Sequence, residues 1–399
     1  MAWRKEIQGL ESNNAVTAVG AILLLLSFYK TSYWFIFLGA FLLVISRMSI
    51  YYLNHVADHL IFENEKESIR LSVGEEIILP LKFSQFSWLP IFQGTLKIKL
   101  EAIVEGLGVP FTSHENNVEF KFPIFVKGQE TIQVSLPLKA TARGVTRIKT
   151  VELTVGNFFG LGSVQLKYNP FIHKELIVYP SPTMVSQTDR LVAARSNGDY
   201  SSPSSMFEQF LAPIGTRDYI YTDSFKQIHW KASAKTQALQ TKVFERMADN
   251  SWTFIINLRE ANTPHIHLGV VESLESIASN VAYLAQLATQ RGIEFEVFLN
   301  LRMVNQSAVY HLPKGCGTRQ LGKVLDILAR VNKKGNTQPL NKLLHYVEKK
   351  QQNSPVVIFC GPFPDEKHKY IAQMLKNGQR LFILQDDNQY PAIVPLGRI

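Results

Sequence analysis

From Ala15 to Leu53 the chain reads AVTAVGAILLLLSFYKTSYWFIFLGAFLLVISRMSIYYL, and only Lys30 and Arg47 in it carry charge. A run this apolar fits a bilayer, where a helix of ~20 residues crosses a hydrocarbon layer ~30 Å thick. Lys30 and its neighbours supply a turn between two such runs, so the expectation is a transmembrane helical hairpin over residues 1–55. The first run is short for the span, but Lys30 can snorkel, and Tyr29, Tyr33 and Trp34 suit an interfacial belt. A hairpin leaves both its ends on one side. The competing reading is a cleaved signal peptide that starts at Arg4 and Lys5. It lacks a small-x-small site after Leu26, and a second apolar run follows at once.

Orientation follows from the cationic flanks. Arg4, Lys5 and Arg47 lie outside the hairpin and only Lys30 in its turn, which predicts a cell-membrane protein with its remaining mass in the cytoplasm. Cys316 and Cys360 are the only cysteines, their spacing matches no metal or redox motif, and they offer no disulfide framework, in keeping with a reducing compartment. The net charge is +9, and residues 291–350 hold 11 Lys and Arg against 4 Asp and Glu. Nucleic acid, the anionic inner leaflet and simple solvation each account for such a basic face.

Beyond the hairpin the hydrophobic period changes twice. Residues 66–170 alternate apolar and polar in segments such as "EEIILPLKF", "GTLKIKLEAIV", "NVEFKFPIFV" and "ETIQVSLPLKA", divided by Gly, Pro, Asn or charged turns. This pattern predicts an antiparallel β-sandwich of immunoglobulin-like type, held without a disulfide. In "GNFFGLG", Gly160 and Gly162 flank a Phe-Phe pair in a tight turn. Residues 171–215 read as a linker or irregular segment, rich in Ser and Pro between Pro180 and Pro213. From 216 to 399, strands "SWTFIINL", "EFEVFLNL", "PVVIFC" and "QRLFILQ" alternate with helices predicted over 270–291, 318–331, 339–350 and 365–377. That order gives a mostly parallel sheet in a Rossmann-like, von Willebrand A-like α/β domain. In the first of these helices, positions 274, 277, 281, 284 and 288 line one face.

Nucleotide chemistry finds no support, since no G-x-x-x-x-G-K-[ST] occurs and the turn after "SWTFIINL" is "REANTP". A metal-binding A-type domain carries Asp-x-Ser-x-Ser at the end of its first strand. Here Asn257-Leu258-Arg259-Glu260-Ala261 stands there, so no metal is expected. His265 and His267 share a strand face without an assignable third ligand. No G-x-S-x-G elbow is present.

The densest polar chemistry lies in "GTRDYIYTDSFKQIHWKASAKTQALQTKVFER". It begins in a turn, offers Asp223 or Ser224 as a helix N-cap, places Phe225, Ile228 and Ala232 on one helical face, and continues through Leu239, Thr241 and Val243 as a strand. Trp230 is expected at the seam between helix and strand. Arg217, Asp223, His229, Lys231, Lys242 and Glu245 bring both signs of charge. They suit an internal clamp, with Lys231 or Lys242 paired to Asp223 or Glu245, or a docking surface for a protein partner. His229 as general base with Asp223 as its orienter is the hydrolase alternative, and interleaved lysines and aromatics the nucleic-acid alternative.

These residues resemble the hallmark of the bacterial domain-of-unknown-function family 58, R-x-Y-x-x-G-D-x-x-R-x-I-H-W-K-A-[ST]-A-R-T. Arg217, Tyr219, Asp223, Ile228, His229, Trp230, Lys231, Ala232, Ser233, Ala234 and Thr236 match it. Thr222, Lys226 and Lys235 depart from it, and the two lysines lose the planar fork of arginine. Two N-terminal membrane helices, a β-rich segment closing with Arg143-Gly144 and Asn157 to Leu161, and an A-like tail follow the same order. The resemblance implies a scaffold or adaptor working with a MoxR-type AAA+ ATPase and a transglutaminase-like membrane protein; with no nucleotide, metal or hydrolase motif, a non-enzymatic protein without cofactor is expected.

Overall fold

The computed structural model describes residues 2–30, 33–114, 117–193, 208–246, 251–259, 270–301, 309–333, 335–351, 356–363, 369–386 and 390–396. The chain divides into two units, Met1–Ser181 and Pro182–Ile399. In chain order the first contains β1 (Trp3–Gln8), α1 (Leu10–Lys30), α2 (Tyr33–His55), β2 (Leu60–Phe62), β3 (Ser68–Ser72), β4 (Glu76–Gln85), β5 (Ile91–Glu101), β6 (Val104–Gly106) and β7 (Phe111–His114). It continues with β8 (Asn117–Val126), β9 (Glu130–Ala140), β10 (Gly144–Arg147), β11 (Thr150–Gly156), β12 (Ser163–Tyr168) and β13 (Glu175–Tyr179).

Helices α1 and α2 are each long and apolar enough to cross a membrane. Their contact surface carries small and polar groups seven residues apart: Asn13, Gly20 and Ser27 are buried on α1, and Gly39 and Ser46 on α2. A Cβ on Gly39 would stand 2.8 Å from the Gly20 carbonyl oxygen, so only glycine permits this approach. Thr17 and Ser46 hydroxyls meet across the seam at 2.6 Å. Phe28, Tyr29, Tyr33, Trp34, Phe37 and Met48 face outward instead. Small and polar groups inside with large apolar groups outside is the reverse of a soluble helix pair and the arrangement that lipid permits.

Residues 3–8, read from the sequence as part of the hairpin, form an edge strand of the first sheet. The Arg4–Ile7 segment pairs with Val164–Lys167 of β12 in antiparallel register. Both ends of the hairpin are therefore attached to the same unit, since α2 leads directly into it through Leu53, Val56 and Ala57, all buried in its core. That sheet has the order β1-β12-β11-β5-β8-β7, and a second has the order β2-β4-β9-β6. Alternate residues point inward from both: Leu79, Leu81 and Phe83 from β4, and Leu96, Ile98 and Leu100 from β5, within one core. Period-2 patterning accounts for this directly. Residues 171–215 are not all connector, because β13 lies within them and pairs parallel with β3.

The second unit runs α3 (Asp189–Ala193), β14 (Glu208–Asp218), a single 3-10 turn (Phe225–Gln227), α4 (Trp230–Thr236), β15 (Gln240–Arg246), β16 (Ser251–Ile256), α5 (Leu274–Gln290), β17 (Glu294–Leu299) and β18 (Tyr310–Gly315). Then follow α6 (Gly317–Arg330), α7 (Leu340–Lys350), β19 (Val356–Cys360), α8 (Lys369–Lys376), β20 (Arg380–Gln385) and β21 (Ala392–Leu396). Its main sheet has the order β18-β17-β16-β19-β20-β21. The four central strands are parallel, and β18 and β21 close the two edges antiparallel. Neither edge strand was expected from the sequence. Pro313 and Pro395 interrupt them, and a strand can carry proline where one side of its backbone needs no partner. On α5, Leu274, Ile277, Val281, Leu284 and Ala288 are all buried, as the spacing predicted.

Candidate functional site

The motif folds as a small unit of its own, the two-stranded sheet β14-β15 with the 3-10 turn and α4 inserted between the strands. Arg217 and Asp223 form its central ion pair. The guanidinium donates two parallel hydrogen bonds, Nη1 to Oδ2 at 2.7 Å and Nη2 to Oδ1 at 2.6 Å. Oδ2 also accepts from the Ile220 backbone N–H at 3.1 Å and from the Thr241 hydroxyl at 3.0 Å. These donors leave the Asp223 side chain 8% exposed. The clamp on Asp223 is thus made by Arg217, whose planar fork matches the carboxylate, and not by Lys231 or Lys242 as the sequence suggested.

The expected continuous helix is broken at Ile228, which is buried and bridges to Thr241. Ser224 precedes the 3-10 turn without a side-chain cap, and Phe225 is exposed, so the predicted apolar face does not form. His229 is the N-cap of α4: its Nδ1 accepts from the Ala232 backbone N–H at 3.1 Å. An accepting Nδ1 is unprotonated, so the neutral ring carries its proton on Nε2. Ser233 ties helix to strand by donating to the His229 carbonyl at 3.1 Å and accepting from the Gln240 backbone N–H at 2.9 Å. The Gln240 side chain reaches Asp218, and the Tyr219 N–H donates to the Leu239 carbonyl at 2.9 Å. Nothing in the sequence marks Asp218 and Gln240, although their long-range pairing is what closes the hairpin. No spacing rule reveals it.

The general-base pair weighed from the sequence is not assembled. Asp223 spends its oxygens on Arg217, Ile220 and Thr241, and His229 spends Nδ1 on its own helix. Trp230 does not cover the seam; it stands 66% exposed at the first position of α4. Tyr221 is 97% exposed, and Ile220, Phe225 and Leu239 are exposed around it, so Leu239 does not share a buried strand face with Thr241. The Tyr219 ring lies 5.8 Å from that of Phe225. Lys226, Lys231 and Lys235 are exposed and Lys242 half-buried. The Glu245 side chain lies outside the described residues, as do His265 and His267. Because Arg217 neutralises Asp223, the remaining lysines make this face basic.

The Arg217 guanidinium beside Asp223 holds its carboxyl below the usual carboxylate range, against a smaller opposing push from desolvation. The folded-state value is the depressed one. Its contribution to stability is therefore present above the unfolded value of ~3.9 and is lost as pH falls through the folded value. A carboxyl-carbon NMR titration is expected to place the Asp223 midpoint below that of an unfolded peptide. In Asp223→Asn the motif's backbone amides are expected to exchange faster already at neutral pH. A normal midpoint would contradict the pairing.

At the C-terminal end of the parallel strands, where a metal-binding A-type domain carries its Asp-x-Ser-x-Ser run, a neutral amide network stands. Asn257 Oδ1 accepts from Asn300 Nδ2 at 2.7 Å and from the Arg259 N–H at 3.1 Å. Asn300 also accepts from the Leu258 N–H at 2.9 Å and donates to the Gln338 carbonyl at 3.0 Å. With Asn257 Nδ2 donating to the Pro362 carbonyl at 2.7 Å, the amides satisfy backbone groups at the ends of three segments. Among the described residues no group of three His, Cys, Asp or Glu converges on a point an ion could fill.

No protein-family model matches the chain, and no curated protein matches it. Among solved structures it is similar to a non-cellulosomal cohesin from Archaeoglobus fulgidus, at 13% identity over 32% of this chain and 92% of the cohesin, with a TM-score of 0.19. A type I cohesin–dockerin complex from Clostridium thermocellum matches at 10% identity over 28% of this chain and 90% of its own, with a TM-score of 0.18. An exo-β-N-acetylglucosaminidase from Vibrio harveyi matches at 9% identity over 81% of this chain and 71% of its own, with a TM-score of 0.20. At these TM-scores the likenesses define neither the fold nor the activity.

Proposed function

We propose that this chain is a membrane-anchored, non-enzymatic adaptor that uses the motif hairpin to dock a protein partner. The observation that carries the reading is the exposure of Trp230 on a scaffold otherwise locked by the Arg217–Asp223 pair, the His229 cap and the Ser233 bridge. A large rigid ring on a preorganised support loses little entropy on binding, which is what makes tryptophan the commonest interface anchor. The surrounding lysines favour an acidic rim on the partner. The family-58 resemblance names the partner class as a MoxR-type AAA+ ATPase, with a transglutaminase-like membrane protein as a further companion. We read the first unit as an immunoglobulin-like sandwich carrying a transmembrane hairpin, and the second as a von Willebrand A-like domain. The basic flanks of the hairpin favour a cytoplasmic side for both.

The test is binding of the detergent-solubilised full chain to a purified MoxR-type ATPase locked against hydrolysis. Trp230→Ala is expected to weaken it by ~30-fold, the equivalent of about 2 kcal/mol. Lys349→Ala, a basic substitution outside the motif, is expected to leave it unchanged. Equal affinity of wild type and Trp230→Ala would remove the motif from the interface. Retention on nucleic acid that falls steeply with salt and depends on Lys231 would favour the nucleic-acid reading instead.

A further inference from the structure

The first unit carries a set of exposed aromatic rings that no core or motif accounts for. Trp88 is 69% and Phe158 72% exposed, with Phe92, Phe125 and Phe159 also exposed. Phe92 lies 6.0 Å from both Phe125 and Phe158, and Phe158 5.6 Å from Phe159, so the rings form one continuous patch. A shallow groove of about 360 Å³, lined by Trp88, Pro90, Phe92, Phe125 and Lys127, opens within it.

Strand register places this patch at the end of the sheet from which the helices leave. Gln8, the last residue of β1 before α1, is opposite Ser163, where β12 begins, and Gly156, the last residue of β11, is opposite both Ser163 and Gln93. Ile91, at the start of β5, is opposite Val126, the end of β8. The turns bearing Trp88, Lys127 and Phe158-Phe159 therefore all project from that one edge. The side chain of Asn157 hydrogen-bonds Ser49 of α2, and the Tyr52 hydroxyl donates to the Pro90 carbonyl at 2.8 Å. A Cβ on Gly162 would stand 3.1 Å from Leu53, so the turn is seated directly on the helix.

These contacts fix how far the turns reach along α2. Ser49 lies 16 residues beyond Tyr33, about 24 Å at ~1.5 Å per residue, which is less than the ~30 Å of a hydrocarbon core. If α2 spans the bilayer from its Tyr33 end, the level of Ser49 is still at or within the near boundary. Tilting the helix only deepens it.

We propose that Trp88, Phe92, Phe125, Phe158 and Phe159 form a second membrane contact, an aromatic collar that enters the interfacial layer of the bilayer the hairpin crosses. The occupant of the patch is lipid headgroup and upper acyl chain. Trp88 has the amphipathic ring that this layer favours, the four phenylalanines offer apolar surface to the upper acyl chains, and Lys127 at the groove suits an anionic phosphate. The collar would hold the sheet axis at a set angle to the membrane, which two helices alone leave free. The proposal rests on the reading of α1 and α2 as a membrane anchor.

The experiment uses the full chain with Cys316→Ser, reconstituted in vesicles of phosphatidylcholine and phosphatidylglycerol. Cys360 is buried, and desolvation raises its thiol far above the ordinary range, so it does not compete for label. Nitroxides are placed singly by Phe158→Cys, Trp88→Cys, Val44→Cys at mid-helix and Ser113→Cys near the opposite end of the sheet, all exposed positions. Collision with a water-soluble nickel chelate and with oxygen is then measured. The expected result is hydrocarbon depth at 44, interfacial depth at 158 and 88 with severalfold less nickel collision than at 113, and full aqueous exposure at 113. Hydrocarbon depth at 44 with 158 and 88 as aqueous as 113 would overturn the collar and leave the anchor standing. Aqueous exposure at 44 would overturn both.

Discussion

Trp3→Ala is expected to destabilise the first unit by about 3–5 kcal/mol, the usual cost of truncating a packed tryptophan. The Trp3 side chain is buried, its indole N–H donates to the Leu60 carbonyl at 2.8 Å, and its ring meets Tyr168 edge-on at 5.2 Å. It thus joins β1, β2 and β12 at one point. The loss would also release the strand that holds the start of α1, so the effect reaches the hairpin's seat. Amide exchange at Gln165 and Lys167, which lie opposite Glu6 and Arg4 and face β1 as Asn169 does in donating to the Ala2 carbonyl at 3.0 Å, reports it. Those amides are expected to lose most of their protection in Trp3→Ala. Arg4→Ala, at an exposed residue whose ion pair among the described residues is with exposed Glu6, is expected to cost under about 1 kcal/mol. Unchanged protection in Trp3→Ala would show that β1 is an accessory and not part of the sheet's framework.

The second large effect belongs to Glu296, buried on β17. Its Oε1 accepts from the Thr253 hydroxyl at 2.8 Å, and its Oε2 faces His311 Nε2 at 3.3 Å. His311 stacks on Phe298 with ring centroids 4.2 Å apart, and Gln351 donates to the same Thr253 hydroxyl at 3.2 Å. Glu296→Ala removes the acceptor of a buried hydroxyl and the partner of the half-buried His311 ring, which typically costs about 2–3 kcal/mol. Urea unfolding followed by Trp252, which lies on the neighbouring strand β16, measures it. Glu296→Gln keeps the shape and part of the bonding, so it is expected to cost clearly less. Equal losses for the two variants would mean that volume, and not the polar network, is what the site requires.

Much of the molecule was legible from periodicity. Alternation over 76–85, 117–126 and 130–140 marked strands that lie where expected, because one face of each is buried in a common core. The spacing of Leu274, Ile277, Val281, Leu284 and Ala288 marked the buried face of α5. The Gly160 and Gly162 turn was also readable, since its backbone takes φ of +68° and +141°. The edge strands β18 and β21 were not, because an edge needs neither a long apolar run nor freedom from proline. The motif's residues were singled out by their density, but not their roles. Arg217 in place of the lysines, His229 as a cap, and Trp230 pointing outward all depend on where Thr241 and Gln240 return after the helix.

Local chemistry in the chain was enough to determine two apolar helices, the change from period 2 to alternating strands and helices, and the concentration of polar groups around Trp230. Those follow from short-range patterns of burial, which each segment carries in itself. Only the folded arrangement decided that residues 3–8 close a sheet with residues 163–168, that aromatic turns far apart in sequence gather where the helices leave that sheet, and that Asp223 is satisfied by Arg217. Such pairings are contacts between distant segments, and their energies depend on register and side-chain geometry that no local pattern encodes.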